Sequence, residues 1–253
     1  MSSAVTAHLP AAARLAWWGT AWLRGHVAPD LLVDAVVDGD ATHLVGGLRP
    51  LGLSADDAAE GLLLGLGRLR VEGATGLGAA FPVEGDPVGL GGPRSFNDEA
   101  LEAGEAVVAV DAGLGLVPVR VGAAVTWVAH RAERRQLPDV GEADRALRAA
   151  LLETAQTLAD LDVARWRPEV ADRLMNLRHR SPLDAPEGVP ARCVELAARG
   201  LQATEIVDLA LEDDGGAVSA FEISARRDAL QPLARAGRRA LVAACSPEVW
   251  PPG

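Results

Sequence analysis

The chain has 253 residues with no lysine and no tyrosine, and its 24 basic residues are all arginine against 35 acidic ones. The absence of lysine excludes pyridoxal-phosphate enzymes and lysine-dependent aldolases, and also any site built on a P-loop lysine, a kinase strand lysine or a Ser-x-x-Lys pair. The net charge of −11 repels the phosphates of nucleic acids unless the arginines gather on one face.

The N-terminal stretch predicts a helix from about Ala11 to Leu23. Leu15, Trp18 and Trp22 fall at i, i+3 and i+7, which places them on one helical face. A tryptophan cluster can line a ligand pocket or a partner surface, but this spacing favours the core. The stretch lacks the basic leading segment of a secretory signal, and no stretch of the chain reaches the ~18 apolar residues of a membrane span. We therefore expect a soluble, cytoplasmic protein.

Three short elements follow this helix. Pro29 opens a second helix that runs to Val37, and the residues 42–45 form a short strand. Ser54 and Asp57 have the spacing of a capping box, which predicts that a third helix begins there and continues to about Arg70.

The middle of the chain changes to a Gly-, Val- and Pro-rich texture that predicts a small sheet. Short β-branched runs bounded by Gly, Pro or Asp indicate four strands: Gly76–Val83, Ala106–Val110, Leu116–Val121 and Ala124–Ala129. Pro82 and Pro118 interrupt two of these runs, so we expect those strands to be edges or to carry bulges.

The second half of the sequence is almost wholly helical after a linker at residues 136–141. Helices are predicted at 142–162 and from Pro168 to about Arg180. After a loop at 181–190, one helix or a helix pair is predicted to run to Glu212. A capping box at Ser219–Glu222 begins the last helical stretch, and Pro232 is expected to break or kink it. The predicted fold class is α+β. A mixed N-terminal domain (1–135) with a small, mainly antiparallel sheet precedes an all-helical C-terminal domain (141–253), and the two can also pack as one unit.

The loop from Gly85 to Ser95 is the richest candidate site. It follows a predicted strand and leads to a helix at 96–103, where free amides attract anions. The anion-binding candidates are Gly89, Gly91, Gly92, Arg94 and Ser95, with Arg94 able to fork onto a carboxylate or phosphate. The spacing matches neither a dinucleotide fingerprint nor a P-loop, so the alternative is a rigid connection in which Ser95 or Asn97 caps the helix.

A second candidate is an arginine set near the C-terminus. Arg235, Arg238 and Arg239 fall on one helical face, which could bind nucleic acid or an acidic partner. The alternative is a solvated face paired with neighbouring carboxylates, and the acidic charge of the whole chain favours that alternative. No catalytic motif, metal site or cofactor site is predicted, because the histidines are scattered and no nucleophile elbow occurs.

Three functions remain open at this level. The first is a non-catalytic cytosolic protein that acts through protein–protein contacts or self-association of its helical half. The second is an enzyme or binding protein for an anionic small molecule at the Gly85–Ser95 loop. The third, which the charge disfavours, is nucleic-acid binding through the C-terminal arginines.

Overall fold

The computed structural model describes residues 9–160, 182–212 and 220–251. Within these ranges the chain forms six strands, which are β1 (Thr42–Gly46), β2 (Glu60–Gly61), β3 (Gly76–Ala80), β4 (Ala106–Val110), β5 (Leu114–Val121) and β6 (Ala124–Arg131). It also forms seven α-helices, which are α1 (Ala11–Leu23), α2 (Pro29–Val37), α3 (Leu62–Val71), α4 (Arg94–Ala103), α5 (Val140–Asp160), α6 (Ala191–Glu212) and α7 (Ala220–Ala244).

The six strands make one mixed sheet in the order β2-β1-β6-β5-β4-β3. Only the β1–β6 pairing is parallel, and the other neighbours are antiparallel. The sheet belongs to the N-terminal part and the long helices α5 to α7 follow it, so the predicted α+β class is confirmed. Within the described ranges, no helix is long and apolar enough to cross a bilayer.

Alternation along the strands divides the apolar residues between two sides of the sheet. Leu114 and Leu116 of β5 belong to the main core with α1, whereas Val117 belongs to a smaller cluster with Phe96 of α4. Strand β4 is buried on both sides, and this explains its uninterrupted apolar run Ala-Val-Val-Ala-Val. The sheet is therefore covered on both faces where it carries the most apolar side chains.

The outer edge of β3 is sealed by side chains and backbone from distant parts of the chain. Thr20 Oγ1 accepts a hydrogen bond from the Leu77 amide at 2.8 Å and donates one to the Leu77 carbonyl at 3.0 Å. The Ala79 amide donates to the Cys245 carbonyl at 2.9 Å. These bonds satisfy an edge that would otherwise be open to another strand. They also join the end of α7 to the sheet, and one hydrophobic core holds residues of both halves.

Two local predictions were wrong: Ser54 does not begin the third helix, and the strand that contains Pro118 is not at the edge of the sheet. The third helix begins at Leu62, because Ser54 Oγ accepts the nearby Asp56 amide and closes a turn instead of capping a helix. Pro118 lies in β5, an interior strand, but β4 pairs with β5 only at Leu114–Leu116, so the proline lies beyond the end of that ladder.

The C-terminal helix passes through Pro232 without a break, so of the expected break or kink the break does not occur. Helices α5 and α6 both pack along α7, and this packing outweighs the backbone hydrogen bond that proline removes. The predicted helix from Pro168 and the capping box at Ser219 lie outside the described residues.

The tryptophans of α1 are arranged differently from the prediction. Trp17 is completely buried and its Nε1 donates to the Ala244 carbonyl at 3.1 Å. Trp18 and Trp22 are only partly buried against the core, and the guanidinium of Arg70 lies 5.4 Å from the Trp22 ring centroid. Helix α1 is buried over most of its circumference, so a single apolar face could not identify the innermost tryptophan.

Candidate functional site

A cavity between the turn at 83–86 and helices α5 and α7 brings the C-terminal arginines together with the start of the glycine-rich loop. Its volume is about 610 Å³. The charged residues that line it are Arg235, Arg238, Arg239, Glu84, Asp86 and Glu153. Small side chains such as Ala146, Ala150 and Ala236 form an apolar part of its wall. We call this space the arginine cavity.

Asp86 lies at the centre of the arginine set. Its backbone closes a tight turn with Val83, through a hydrogen bond of 2.9 Å in one direction and 3.2 Å in the other. Its carboxylate is only 10% exposed and accepts a hydrogen bond from Arg238 Nη2 at 3.3 Å. Arg235 Nε and Arg239 Nη1 approach the same carboxylate at 3.7 and 3.9 Å. One acidic side chain is thus shared by three guanidinium groups.

The arginine set has more donors than Asp86 can accept. Each guanidinium carries five N–H donors, and two of the three contacts with Asp86 are longer than a hydrogen bond. The Nε atom of Arg238 is buried and has no hydrogen-bond partner among the described residues, although its side chain is 17% exposed. Buried donors of this kind normally find an acceptor. The capacity of the cavity for an anion lies in the remaining N–H donors of Arg235 and Arg239, whose side chains are 60% and 39% exposed.

The loop residues that the sequence predicted as an anion site lie elsewhere. The backbone at Gly91 passes so close to Arg134 that a Cβ would lie 2.5 Å from its carbonyl oxygen, and Gly89 packs similarly on Ala80. Arg94 is 93% exposed on α4, where its Nε lies 3.4 Å from Asp98. Packing alone therefore explains the glycine at 91.

Neither Ser95 nor Asn97 is the N-cap of α4, so the capping alternative was wrong. Asn97 Oδ1 accepts a hydrogen bond from the Gly92 amide at 3.1 Å, and Ser95 is exposed. The N-cap residue itself is Pro93, which has no side-chain hydrogen bond. The anion site at Gly89, Gly91, Gly92, Arg94 and Ser95 stays a prediction, while the same loop carries Asp86 to the C-terminal arginines.

Arg135 is a buried residue that sequence reasoning missed. Its side chain is 1% exposed and donates to the carbonyls of Ala79 and Gly89 at 3.0 and 3.3 Å. It also donates to Ser246 Oγ at 3.2 Å and to Glu248 at 2.7 Å. The residue thus ties β3, the glycine-rich loop and the C-terminal segment together. In the sequence it is the last of a run of charged residues before the linker, which gave no signal of burial.

A second buried polar group joins Asp40, His43 and Trp127. Trp127 Nε1 donates to His43 Nδ1 at 3.0 Å, so Nδ1 carries no proton and Nε2 donates to Asp40 at 2.8 Å. Arg14 and Arg120 contact the Asp40 carboxylate at 3.4 and 3.1 Å. Both ring nitrogens of His43 are therefore occupied, and the group holds a neutral imidazole in one tautomer.

The pKa values of this group follow from burial and its partners. Burial lowers the pKa of His43, and the bond with Asp40 offsets only part of that effect. Burial alone would raise the pKa of Asp40, but its bonds with His43 and Arg120 hold it below the ordinary value. Nearby, burial raises the pKa of Glu105, although the carboxylate accepts the Ala12 amide at the start of α1.

We expect the stability of the fold to fall as the pH drops below about 6.5, the ordinary pKa of histidine. Because the pKa of folded His43 is lower, the unfolded chain takes up a proton that the folded chain does not. The loss approaches about 1.4 kcal/mol per pH unit and stops once the pH is below the folded pKa. Urea denaturation from pH 7.5 to pH 5 measures this slope.

The variant His43→Gln should flatten this pH dependence, whereas His26→Gln at an exposed position should not. Glu105 has a raised pKa, so its effect on the pH dependence of stability has the opposite sign. Because the variant retains Glu105, the difference between wild type and variant gives the contribution of His43 alone. Equal pH slopes in wild type and His43→Gln would contradict the assignment.

Within the described residues, no three His, Cys, Asp or Glu side chains are grouped so that they could hold a metal ion.

Comparison with known proteins shows the family to which the chain belongs. The family model described as Rv1486c-like protein, N-terminal domain, matches residues 12–142, and the one for the C-terminal domain matches residues 141–242. The chain belongs to the Rv1486c-like family. Asp86 falls in the first matched region and the arginine set in the second, so the cavity combines side chains from both regions.

Two relatives from Mycobacterium tuberculosis resemble this member of the Rv1486c-like family along nearly its whole length. Uncharacterized protein Rv1486c of strain H37Rv and Uncharacterized protein MT1533 of strain CDC 1551 are each 30% identical to it over 284 aligned positions. Each alignment covers 94% of this chain and 97% of the relative. No solved structure matches the chain. The division into domains at 1–135 and 141–253 stays a prediction.

Proposed function

We propose that this protein binds a small anionic molecule in the arginine cavity. The observation that carries the proposal is the convergence of Arg235, Arg238 and Arg239 on the single carboxylate of Asp86. Three guanidinium groups held by one helix are a recognition device for carboxylate or phosphate, because each presents a planar fork of donors.

The size and composition of the cavity support a small molecule as the ligand. A volume of about 610 Å³ lies within the range of about 300–1,000 Å³ that small-molecule sites occupy. The alanines of α5 form an apolar wall that leaves room for the body of a ligand, Glu153 is the one carboxylate that this helix adds to the lining, and the arginines are on the α7 side. An anionic group with a small apolar body matches this arrangement.

The same geometry argues against a long polyanion as the ligand. Glu84 and Glu153 also line the cavity, and the net charge of −11 repels an extended phosphate backbone. Binding of nucleic acid by Arg235, Arg238 and Arg239 therefore stays the less favoured hypothesis.

A thermal-shift screen against phosphorylated and carboxylated metabolites tests the proposed function. A ligand at about 100 times its Kd should stabilise the native state by about 2.7 kcal/mol, which raises Tm by roughly 5–10 °C. Arg238→Ala should abolish the shift. The matched control is Arg94→Ala, which removes an exposed arginine of α4 and should preserve it.

The two variants also separate the arginine cavity from the loop site predicted from the sequence. A shift that survives Arg238→Ala and is lost in Arg94→Ala would place the anion at Gly89–Ser95. The absence of any shift across the screen would contradict the proposal.

Protein–protein contact through the helical half, which the absence of a catalytic motif and the amphipathic helices favour at the level of the sequence, stays a prediction. The observation that bears on it is the exposure of two leucines there, Leu152 on α5 at 76% and Leu211 on α6 at 42%. Single exposed leucines are common on proteins that have no partner, so the arginine cavity carries the stronger proposal. The cytoplasmic location and the non-catalytic character also stay predictions.

A further inference from the structure

We infer that the arginine cavity is built for a dianionic group of the phosphoryl type, and that Asp86 is an internal anion that weakens its binding. The inference deepens the proposed function and rests on it. It concerns the charge of the ligand and the role of one side chain, neither of which follows from the presence of arginines alone.

The charge requirement follows from the distances around Asp86. Three guanidinium groups lie within 3.3–3.9 Å of one carboxylate, which leaves two positive charges unneutralised at that point. Glu84 and Glu153, the other carboxylates that line the cavity, form no ion pair with these arginines in the described part of the chain, although Arg235 is as exposed as they are. A group with two negative charges therefore balances the three guanidinium groups around Asp86.

The geometry of the donors also favours a phosphoryl group over a monocarboxylate. Arg235, Arg238 and Arg239 stand at i, i+3 and i+4 on α7, so their heads approach one point from different directions. A tetrahedral phosphoryl group offers three oxygens to such a set. A monocarboxylate offers only two oxygens and one charge, which Asp86 already supplies from a tethered position.

Asp86 consequently acts on an incoming anion in two ways. It occupies donors of Arg238, the most buried of the three arginines, and it repels a second negative charge placed beside it. The repulsion is twice as large for a dianion as for a monoanion. Loss of the Asp86 charge should therefore tighten the binding of every anion, and of dianions most.

Titrations with sulfate and acetate test the inference, because sulfate stays dianionic over the working pH range. The binding of each ion is measured from the arginine Nε–H signals in NMR spectra at constant ionic strength. Wild type should bind sulfate at least about tenfold more tightly than acetate. Asp86→Asn should tighten sulfate by a further factor of about 10 and acetate by a factor of about 3. The control Asp98→Asn removes an equal charge beside exposed Arg94 and should change neither affinity.

Each outcome distinguishes the inference from the proposed function. Equal affinity of wild type for sulfate and acetate would overturn the dianion requirement while leaving an anion site in place. Weaker sulfate binding in Asp86→Asn would show that Asp86 positions the arginines instead of competing with the ligand. Failure of wild type to bind either ion, together with a blank metabolite screen, would overturn both proposals.

Discussion

Replacement of Arg135 with alanine should destabilise the protein by about 3–5 kcal/mol, the usual cost of breaking a buried ion pair. The change leaves the carbonyls of Ala79 and Gly89 without their donor and removes the partner of Glu248. It also releases the C-terminal segment from the sheet, because Ser246 and Glu248 both bond to this guanidinium. Urea denaturation at pH 7.5 measures the loss.

The neighbouring residue provides the matched control. Arg134 carries the same charge but is exposed, so Arg134→Ala should change stability by no more than about 0.5 kcal/mol. A second variant, Gly78→Ala, tests the same site without touching the charge, since a Cβ there would overlap the Arg135 guanidinium. A loss below 1 kcal/mol in Arg135→Ala would show that the ion pair does not hold the segment in place.

The second large effect is expected at Trp17. Its side chain is completely buried in the main core, and truncation of a buried aromatic residue to alanine costs about 3–5 kcal/mol. Trp17→Phe retains most of the buried area but removes the hydrogen bond from Nε1 to the Ala244 carbonyl, so it should cost about 1–2 kcal/mol. Denaturation midpoints followed by circular dichroism avoid the loss of a fluorescent reporter.

Trp18 is the control for this prediction, because it is adjacent in sequence but only partly buried. Trp18→Ala should therefore destabilise clearly less than Trp17→Ala. A larger effect at Trp18 would support the core assignment made from helical spacing and would contradict the structure of α1 described above.

The candidate site shows how far sequence reasoning could reach. The spacing of Arg235, Arg238 and Arg239 places them on one helical face, and in the structure all three come within 4 Å of Asp86. The sequence also singled out the loop that carries Asp86. It could not join the two, because Asp86 and Arg238 are 152 residues apart and no local pattern encodes that contact.

His43 and Arg135 were missed for a related reason. Both are polar residues in segments whose pattern predicts nothing special, and their burial depends on partners far along the chain. Trp127 lies 84 residues from His43, and Glu248 lies 113 residues from Arg135. A polar residue is buried only where such partners satisfy it, so its burial cannot be read from its neighbours.

The sequence by itself determined the α+β class and most elements, because these depend on local patterns. The strand at Ala106–Val110 was predicted to the residue from an apolar run between a glycine turn and Asp111. Only the tertiary structure decided that Trp17 is the innermost tryptophan, that α7 continues through Pro232, and that the loop and the arginines meet. Each of these depends on packing between distant segments. The free energy of that packing outweighs local conformational preference, and it produces no periodic pattern in the sequence.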